Sequence, residues 1–250
     1  ESDDALMEKY FEDGTLPEED IYPNLAKAIA KSRLCPVYAV SAGNLFGLQI
    51  LLDHIVEFGP NPATHEAEYG FKDADLSGDR VSRKYSNDDP FSAYVFRTIA
   101  DPFAGRINVM KVVSGKVESD ATVFNSTRDS QERLGALHVI NGKTLEKVNS
   151  AQTGDIIAVV KLKDTQTGDT LCDKASPIVY PKVEYPEAAI AFAIEPKSRA
   201  DEEKISVALH KILEEDPSLH FERDAQTKEF ILSGSGQLHI ETVVDKLKNR

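Results

Sequence analysis

Between Pro90 and Pro181 the chain advances in short apolar bursts, each closed within a few residues by a turn signal, and that rhythm admits little besides an all-β unit. The turns are written as Ser114-Gly115, Ser119-Asp120, Asn141-Gly142 and Thr153-Gly154-Asp155. Alternate side chains in such bursts face one core, and each strand reverses before it grows long. The stretch therefore predicts a closed barrel of roughly six to eight strands.

The flanks read differently. Leu6, Met7, Tyr10 and Phe11 have helical spacing, and Thr15 with Glu18 forms a capping-box pattern ahead of a second helix bearing Ile21, Leu25, Ala28 and Ile29. Pro36 to Ser41 is a short apolar run suited to a buried strand. A Gly43-Asn44 turn then leads into a helix with Leu48, Leu51, Leu52, Ile55 and Val56 on one face. Strand, turn and helix in this order make one unit of a parallel α/β sheet, whose remaining strands are expected upstream of Glu1. Residues 61–89 mix Pro, Gly and charge with little periodicity and read as a linker, with Arg80 to Tyr85 as a candidate edge strand.

Beyond the barrel, Ile190, Phe192 and Ile194 alternate in a strand. Ser198 and Asp201 cap a helix whose apolar face is Ile205, Ala208, Leu209, Ile212 and Leu213, and Pro217 ends it. Leu219 with Phe221 and Phe230 with Leu232 then form two antiparallel strands around an Asp224–Lys228 turn. A last helix starts near Gly236 and carries Ile240, Val243, Val244 and Leu247. The order βαββα is a ferredoxin-like unit without its last strand. The predicted organisation is thus multidomain: residues 1–60 as the tail of an α/β domain, 61–89 as a linker, 90–181 as an all-β barrel, and 182–250 as an incomplete ferredoxin-like α+β domain.

Charge narrows the function classes. The net charge of −13 is concentrated at the front: residues 1–89 hold 8 basic against 18 acidic side chains, residues 90–181 hold 11 against 10, and residues 182–250 hold 10 against 14. A DNA-binding protein needs a basic face, so that class is excluded, while sparse phosphate contacts from the near-neutral barrel are not. No apolar run is long enough to predict a membrane span. The acidic start Glu1-Ser2-Asp3-Asp4 is unlike an export signal, and Cys35 and Cys172 read as two reduced thiols. Cytoplasmic residence is the expectation.

Motifs for chemistry are sparse. Gly142-Lys143-Thr144 has the ending of a phosphate-binding loop, but position 137 is Leu137 where that loop needs glycine, and Asn141-Gly142 between alternating runs predicts a type I′ hairpin turn. The histidines show no HxxxH and the cysteines no Cys-x-x-Cys, so zinc has no support. Gly234-Ser235-Gly236-Gln237 lacks the Gly-x-Ser-x-Gly form of a nucleophile elbow and reads instead as a flexible helix entry.

Several longer segments then fall into a known order: Asp3–Tyr10, Ser41-Ala42, Thr98–Arg106, Gly154-Asp155-Ile156, Lys163–Cys172, Ile194-Glu195-Pro196-Lys197 and Ser233–Ile240. With these the chain resembles the bacterial translation elongation factor G family, including its paralogues, over essentially its whole length. The resemblance implies a ribosome-binding central piece of a translational GTPase, active in protein biosynthesis. Its parent would use GTP and Mg to drive translocation or recycling on the ribosome. The phosphate loop, the switch regions and the Asn-Lys-x-Asp motif are absent from these residues, so no bound GTP and no catalysis are expected of them.

Ser41 and Ala42 would be the last guanine-recognition motif. The barrel would rest on small-subunit ribosomal RNA, with Thr127 and Arg128 at phosphates. Gly234, Ser235, Gly236, Gln237 and His239 would form the loop that couples nucleotide state to the ribosome and borders the fusidic acid site. There the family's usual Gly-Met-Gly-Glu-Leu-His-Leu is changed to Ser235 for Met and Gln237 for Glu. Two other readings stay open: a ribosomal protection or rescue GTPase, and a regulatory module whose parent does not hydrolyse GTP.

Overall fold

A computed structural model describes residues 4–101, 103–196 and 199–248. The chain falls into two compact units, residues 1–65 and 66–250.

Among the described residues the first unit holds three helices, α1 (Asp4–Asp13), α2 (Glu18–Ala30) and α3 (Leu48–Phe58). An ion pair from Lys9 to Asp20, 2.5 Å long, ties α1 to α2, and Tyr22 stacks on Phe58 of α3 with ring centroids 5.9 Å apart. The capping box does not form: Pro17 takes the N-cap position without a side-chain bond, and Thr15 Oγ1 lies 3.5 Å from Leu16 O. Glu18, Glu19 and Asp20 in the first turn complement the helix dipole instead.

The strand expected over Pro36–Ser41 is absent as well. The segment has no strand pairing apart from a single bridge between Ser41 and Phe46, and Val37 is 92% exposed. An apolar run becomes a strand only where a neighbour accepts its ladder, and the described part of this unit holds no strand.

Residues 61–89 are more than a linker. They form a 3-10 turn at Pro62–Thr64 and a hairpin of β1 (Glu68–Phe71) and β2 (Arg80–Arg83). The hairpin is joined to the barrel by a bridge from Phe71 to Val179. Val81 and Tyr85 pack on Val113, Cys172, Ile178 and Tyr180, so two apolar residues in a charged stretch suffice to dock it.

Among the described residues the barrel contains ten strands: β3 (Ser92–Asp101), β4 (Gly105–Ser114), β5 (Lys116–Glu118), β6 (Thr122–Asn125), β7 (Ser130–Arg133), β8 (Leu137–Asn141), β9 (Thr144–Val148), β10 (Ser150–Gln152), β11 (Ile156–Val160) and β12 (Thr170–Cys172). Eight pair antiparallel in the order β7-β6-β12-β3-β4-β11-β8-β9, and β5 pairs with β10. The strand number exceeds the expectation because β5, β10 and β12 have three residues each, too few to register as alternation.

Val95, Met110, Val112, Leu134, Leu137, Ile157 and Leu171 from around the sheet meet in one core. The longest ribbon is β3–β4, paired from Ser92↔Ser114 to Asp101↔Gly105 with a bulge between Val95 and Arg97. Gly115 turns the chain at φ 73°, where a Cβ would lie 2.7 Å from Asp89 O and from the Phe91 backbone. In the β8–β9 hairpin Asn141 pairs with Thr144 and only Gly142 of the two turn residues has positive φ (59°), the type II′ pattern rather than type I′.

The remaining elements are β13 (Ile190–Ile194), α4 (Arg199–Glu215), β14 (His220–Arg223), β15 (Phe230–Gly234) and α5 (Gln237–Lys248), with sheet order β13-β15-β14, all antiparallel. Leu209 and Ile212 of α4 pack with Leu219, Leu232, Ile240 and Val243, so one helical face each from α4 and α5 covers one face of the sheet. This is the βαββα ferredoxin-like arrangement. The Ser198 cap lies outside the described residues.

Candidate functional site

One end of the barrel is organised by two buried carboxylates. Glu132 on β7, 2% exposed, accepts the backbone N–H groups of Lys163 (3.1 Å), Asp164 (2.8 Å) and Thr165 (3.1 Å) and the Thr165 hydroxyl (2.9 Å). Burial pushes the Glu132 carboxyl up, but these donors outweigh it and hold the group below its usual range. Further along the chain, Asp169 is fully buried, and its Oδ2 accepts from Arg128 Nε (2.5 Å), the Gln166 N–H (2.9 Å) and Asn125 Nδ2 (3.1 Å). Its Oδ1 has no hydrogen-bond partner, and Lys182 Nζ stands 4.0 Å from it. The loop from Lys163 to Asp169 is thereby fastened at both ends to side chains of β6, β7 and the turn between them.

Thr127 and Arg128 both belong to this network. The Thr127 hydroxyl accepts the Thr170 N–H at 3.0 Å. Arg128 donates to Asp169 and to Gln166 Oε1 (2.6 Å), and its backbone N–H donates to Asn125 Oδ1 (3.1 Å). About a third of the Arg128 side chain, 32%, reaches solvent. The guanidinium is thus a pre-positioned cation, held from behind and open at its outer edge, a form suited to an anionic oxygen. Sequence reading places Arg128 in a loop but misses Asp169, 41 residues away, because nothing local signals the pair.

The second predicted loop is clamped rather than flexible. His239 donates from Nε2 to Asp216 Oδ2 at 2.9 Å, while its Nδ1 accepts from Ser235 Oγ (3.0 Å) and the Ser235 N–H (3.3 Å). The backbone N–H requires a lone pair on Nδ1, which fixes the tautomer. Asp216 Oδ1 accepts from Ser218 N–H (3.0 Å) and Oγ (2.6 Å); burial opposes its charge, yet the Ser218 and His239 donors hold its carboxyl below the usual range.

Gly234 is needed for space, since a Cβ would sit 3.0 Å from His239 Nδ1, whereas Gly236 has nothing within 4 Å. Gln237 donates to Glu241 Oε1 (2.8 Å) along the exposed side of α5. The Ser–His–Asp chain spans the α4–β14 turn and the start of α5, so its evident work is to fix where α5 begins.

Ser41 and Ala42 belong to the first unit. Ser41 and Phe46 exchange backbone bonds of 3.0 and 3.1 Å, closing a tight loop with Leu45 at φ 55°. Such a loop offers backbone amides to a polar ligand. Among the described residues no three His, Cys, Asp or Glu gather as a metal site, and no helix is long and apolar enough to cross a membrane.

A near-neutral barrel with a docked loop is thus followed by a ferredoxin-like α+β domain. Residues 90–174 match elongation factor G domain 2, and residues 185–250 match elongation factor G, domain III. The chain is also similar to a Thermus thermophilus protein of known crystal structure, with 30% identity and a TM-score of 0.78 over 98% of this chain and 34% of that one. The two domain matches cover more than half of the sequence in chain order, and the chain belongs to the elongation factor G family.

Proposed function

We propose that the chain is the ribosome-binding central part of an elongation factor G-like translational GTPase, cytoplasmic, whose parent couples GTP hydrolysis to translocation or recycling. Residues 1–60 then close the nucleotide domain, with Ser41 and Ala42 beside the guanine. The barrel rests on small-subunit ribosomal RNA with Arg128 and the Thr127 turn at a phosphate. The loop from Gly234 to His239 relays nucleotide state, and GTP with Mg binds the parent rather than these residues.

The observation that carries this reading is the guanidinium of Arg128. It is held by a fully buried carboxylate yet open to solvent, on a barrel whose family works in translation. In the full-length protein, Arg128→Ala should weaken binding to small ribosomal subunits and flatten log K against log salt by about 0.7–0.9 per lost phosphate contact. An unchanged slope in a folded variant removes Arg128 from the interface. Calorimetry with GTP and magnesium should give no binding to the 250-residue chain, and tight binding would overturn the division of labour.

A further inference from the structure

β15 ends at Gly234, α5 begins at Gln237, and Ser235 stands exposed in the bend between them. Strand, sharp bend and helix is the setting in which a serine is presented as a nucleophile. The bonds behind Ser235 run in the order that chemistry needs: its hydroxyl donates to His239 Nδ1 (3.0 Å), and His239 Nε2–H donates to Asp216 Oδ2 (2.9 Å). Such a chain can do more than fix the start of α5. An imidazole with its Nδ1 lone pair on the hydroxyl is placed to take that proton, and a carboxylate on Nε2 steadies the imidazolium that results.

The surroundings suit a reacting ester. Burial opposes the charge of Asp216, yet its Ser218 and His239 donors hold the carboxyl below the usual range. The Gly236 and Gln237 N–H groups have no acceptor among the described residues and lead into α5, where the helix dipole favours a developing oxyanion. A Cβ on Gly236 would meet nothing within 4 Å, and the His239 and Asp216 side chains are 20% and 38% exposed, so substrate and water both have access. The Ser235 N–H also rests on Nδ1 at 3.3 Å and must part from it when the ring takes the proton, because Nδ1 then has no lone pair. That cost, and the openness of the site, favour small esters with good leaving groups over amides.

We propose that Ser235, His239 and Asp216 form a hydrolytic centre for small activated carboxylic esters, with Ser235 as nucleophile, His239 as general base and Asp216 as the positioning carboxylate. Ser235 Oγ bonds to the ester carbonyl carbon as its proton passes to His239 Nδ1, and the carbonyl electron pair moves onto oxygen beside the Gly236 and Gln237 amides. Collapse breaks the ester C–O bond, and the departing oxygen takes the proton from Nδ1 and leaves as an alcohol. Water then adds to the acyl-serine by the same route, which releases the carboxylic acid and restores the Ser235 hydroxyl. Ester and water are consumed, acid and alcohol are formed, and no other reactant enters.

Two probes test this on the 250-residue chain: p-nitrophenyl acetate as substrate and a fluorophosphonate that labels nucleophilic serines. The parent should release p-nitrophenolate about 100-fold faster than Ser235→Ala or His239→Gln, and mass spectrometry should find the fluorophosphonate on the peptide carrying Ser235. Asp216→Asn should slow hydrolysis by about 100-fold while nitrogen NMR shows the His239 proton moving from Nε2 to Nδ1, a coupling of rate to tautomer that a purely structural clamp would not produce. A Ser235→Ala chain that hydrolyses the ester as fast as the parent overturns the proposal. So does fluorophosphonate absent from Ser235 or spread evenly over other serines, a result read on the parent alone and so independent of how any variant folds. Rate lost in Asp216→Asn without the change of tautomer overturns the part given to Asp216.

Discussion

Removing the Arg128 guanidinium leaves Asp169 fully buried with two neutral donors, the Gln166 N–H and Asn125 Nδ2, and one oxygen already without a partner. Breaking a wholly buried ion pair costs about 3–5 kcal/mol. Arg128 is 32% exposed, so water enters the vacated space and offsets part of that, leaving about 2 kcal/mol for Arg128→Ala. For a cooperative unit of this size the loss lowers Tm by roughly 4–8 °C. Thermal melts by circular dichroism on Arg128→Ala, Asp169→Asn and the double variant test it. Once the carboxylate is gone the arginine has less to do, so the double variant should be less damaged than the sum of the singles, with a coupling of about 1–2 kcal/mol. A melt of Arg128→Ala within a degree or so of the parent, or strict additivity, refutes the electrostatic account.

Glu132→Gln keeps the shape but loses the charge that four donors were arranged for, and should cost about 2 kcal/mol by chemical denaturation. Because the folded carboxyl is held below its unfolded range, its stabilisation is present above the unfolded value of about 4.3 and is lost as pH falls through the lower folded one. The parent should therefore lose stability more steeply in acid than Glu132→Gln, and parallel acid profiles would count against the reading. Gly115→Ala should destabilise by about 1–3 kcal/mol, through its positive φ and the 2.7 Å approach to the Phe91 backbone, while Gly236→Ala should be near neutral in the same melts. His239→Ala removes both ends of the α5 clamp. It should raise amide hydrogen exchange from Ser235 to Glu241 with a loss of about 1–2 kcal/mol, and unchanged exchange there would show the clamp to be idle.

The helices of the ferredoxin-like domain were legible because each buries a stripe of period 3.6, and Leu209, Ile212, Ile240 and Val243 sit where that period puts them. The barrel was legible from its turns, while its shortest strands were not, since three residues carry no periodicity. Pro36–Ser41 reads as a strand by composition alone, yet a ladder is a property of two segments, and among the described residues only the Ser41–Phe46 bridge forms there. Thr15 and Glu18 matched a cap by spacing, but Pro17 took the position itself. The site was least legible. Arg128 with Asp169, His239 with Asp216 and Arg106 with Glu214 are pairs 41, 23 and 108 residues apart, and charge in a loop does not name its partner.

The β3–β4 ribbon gives the molecule a mechanical axis. Two ten-residue strands run side by side for about 33 Å. Their middle and far portions supply Ala93, Val95, Met110 and Val112 to the barrel core, while the near tip carries Ala100 and Arg106 against α4. A pull or push on α4 is accordingly received at the end of a paired ribbon anchored in the barrel core, instead of being dissipated in a surface loop.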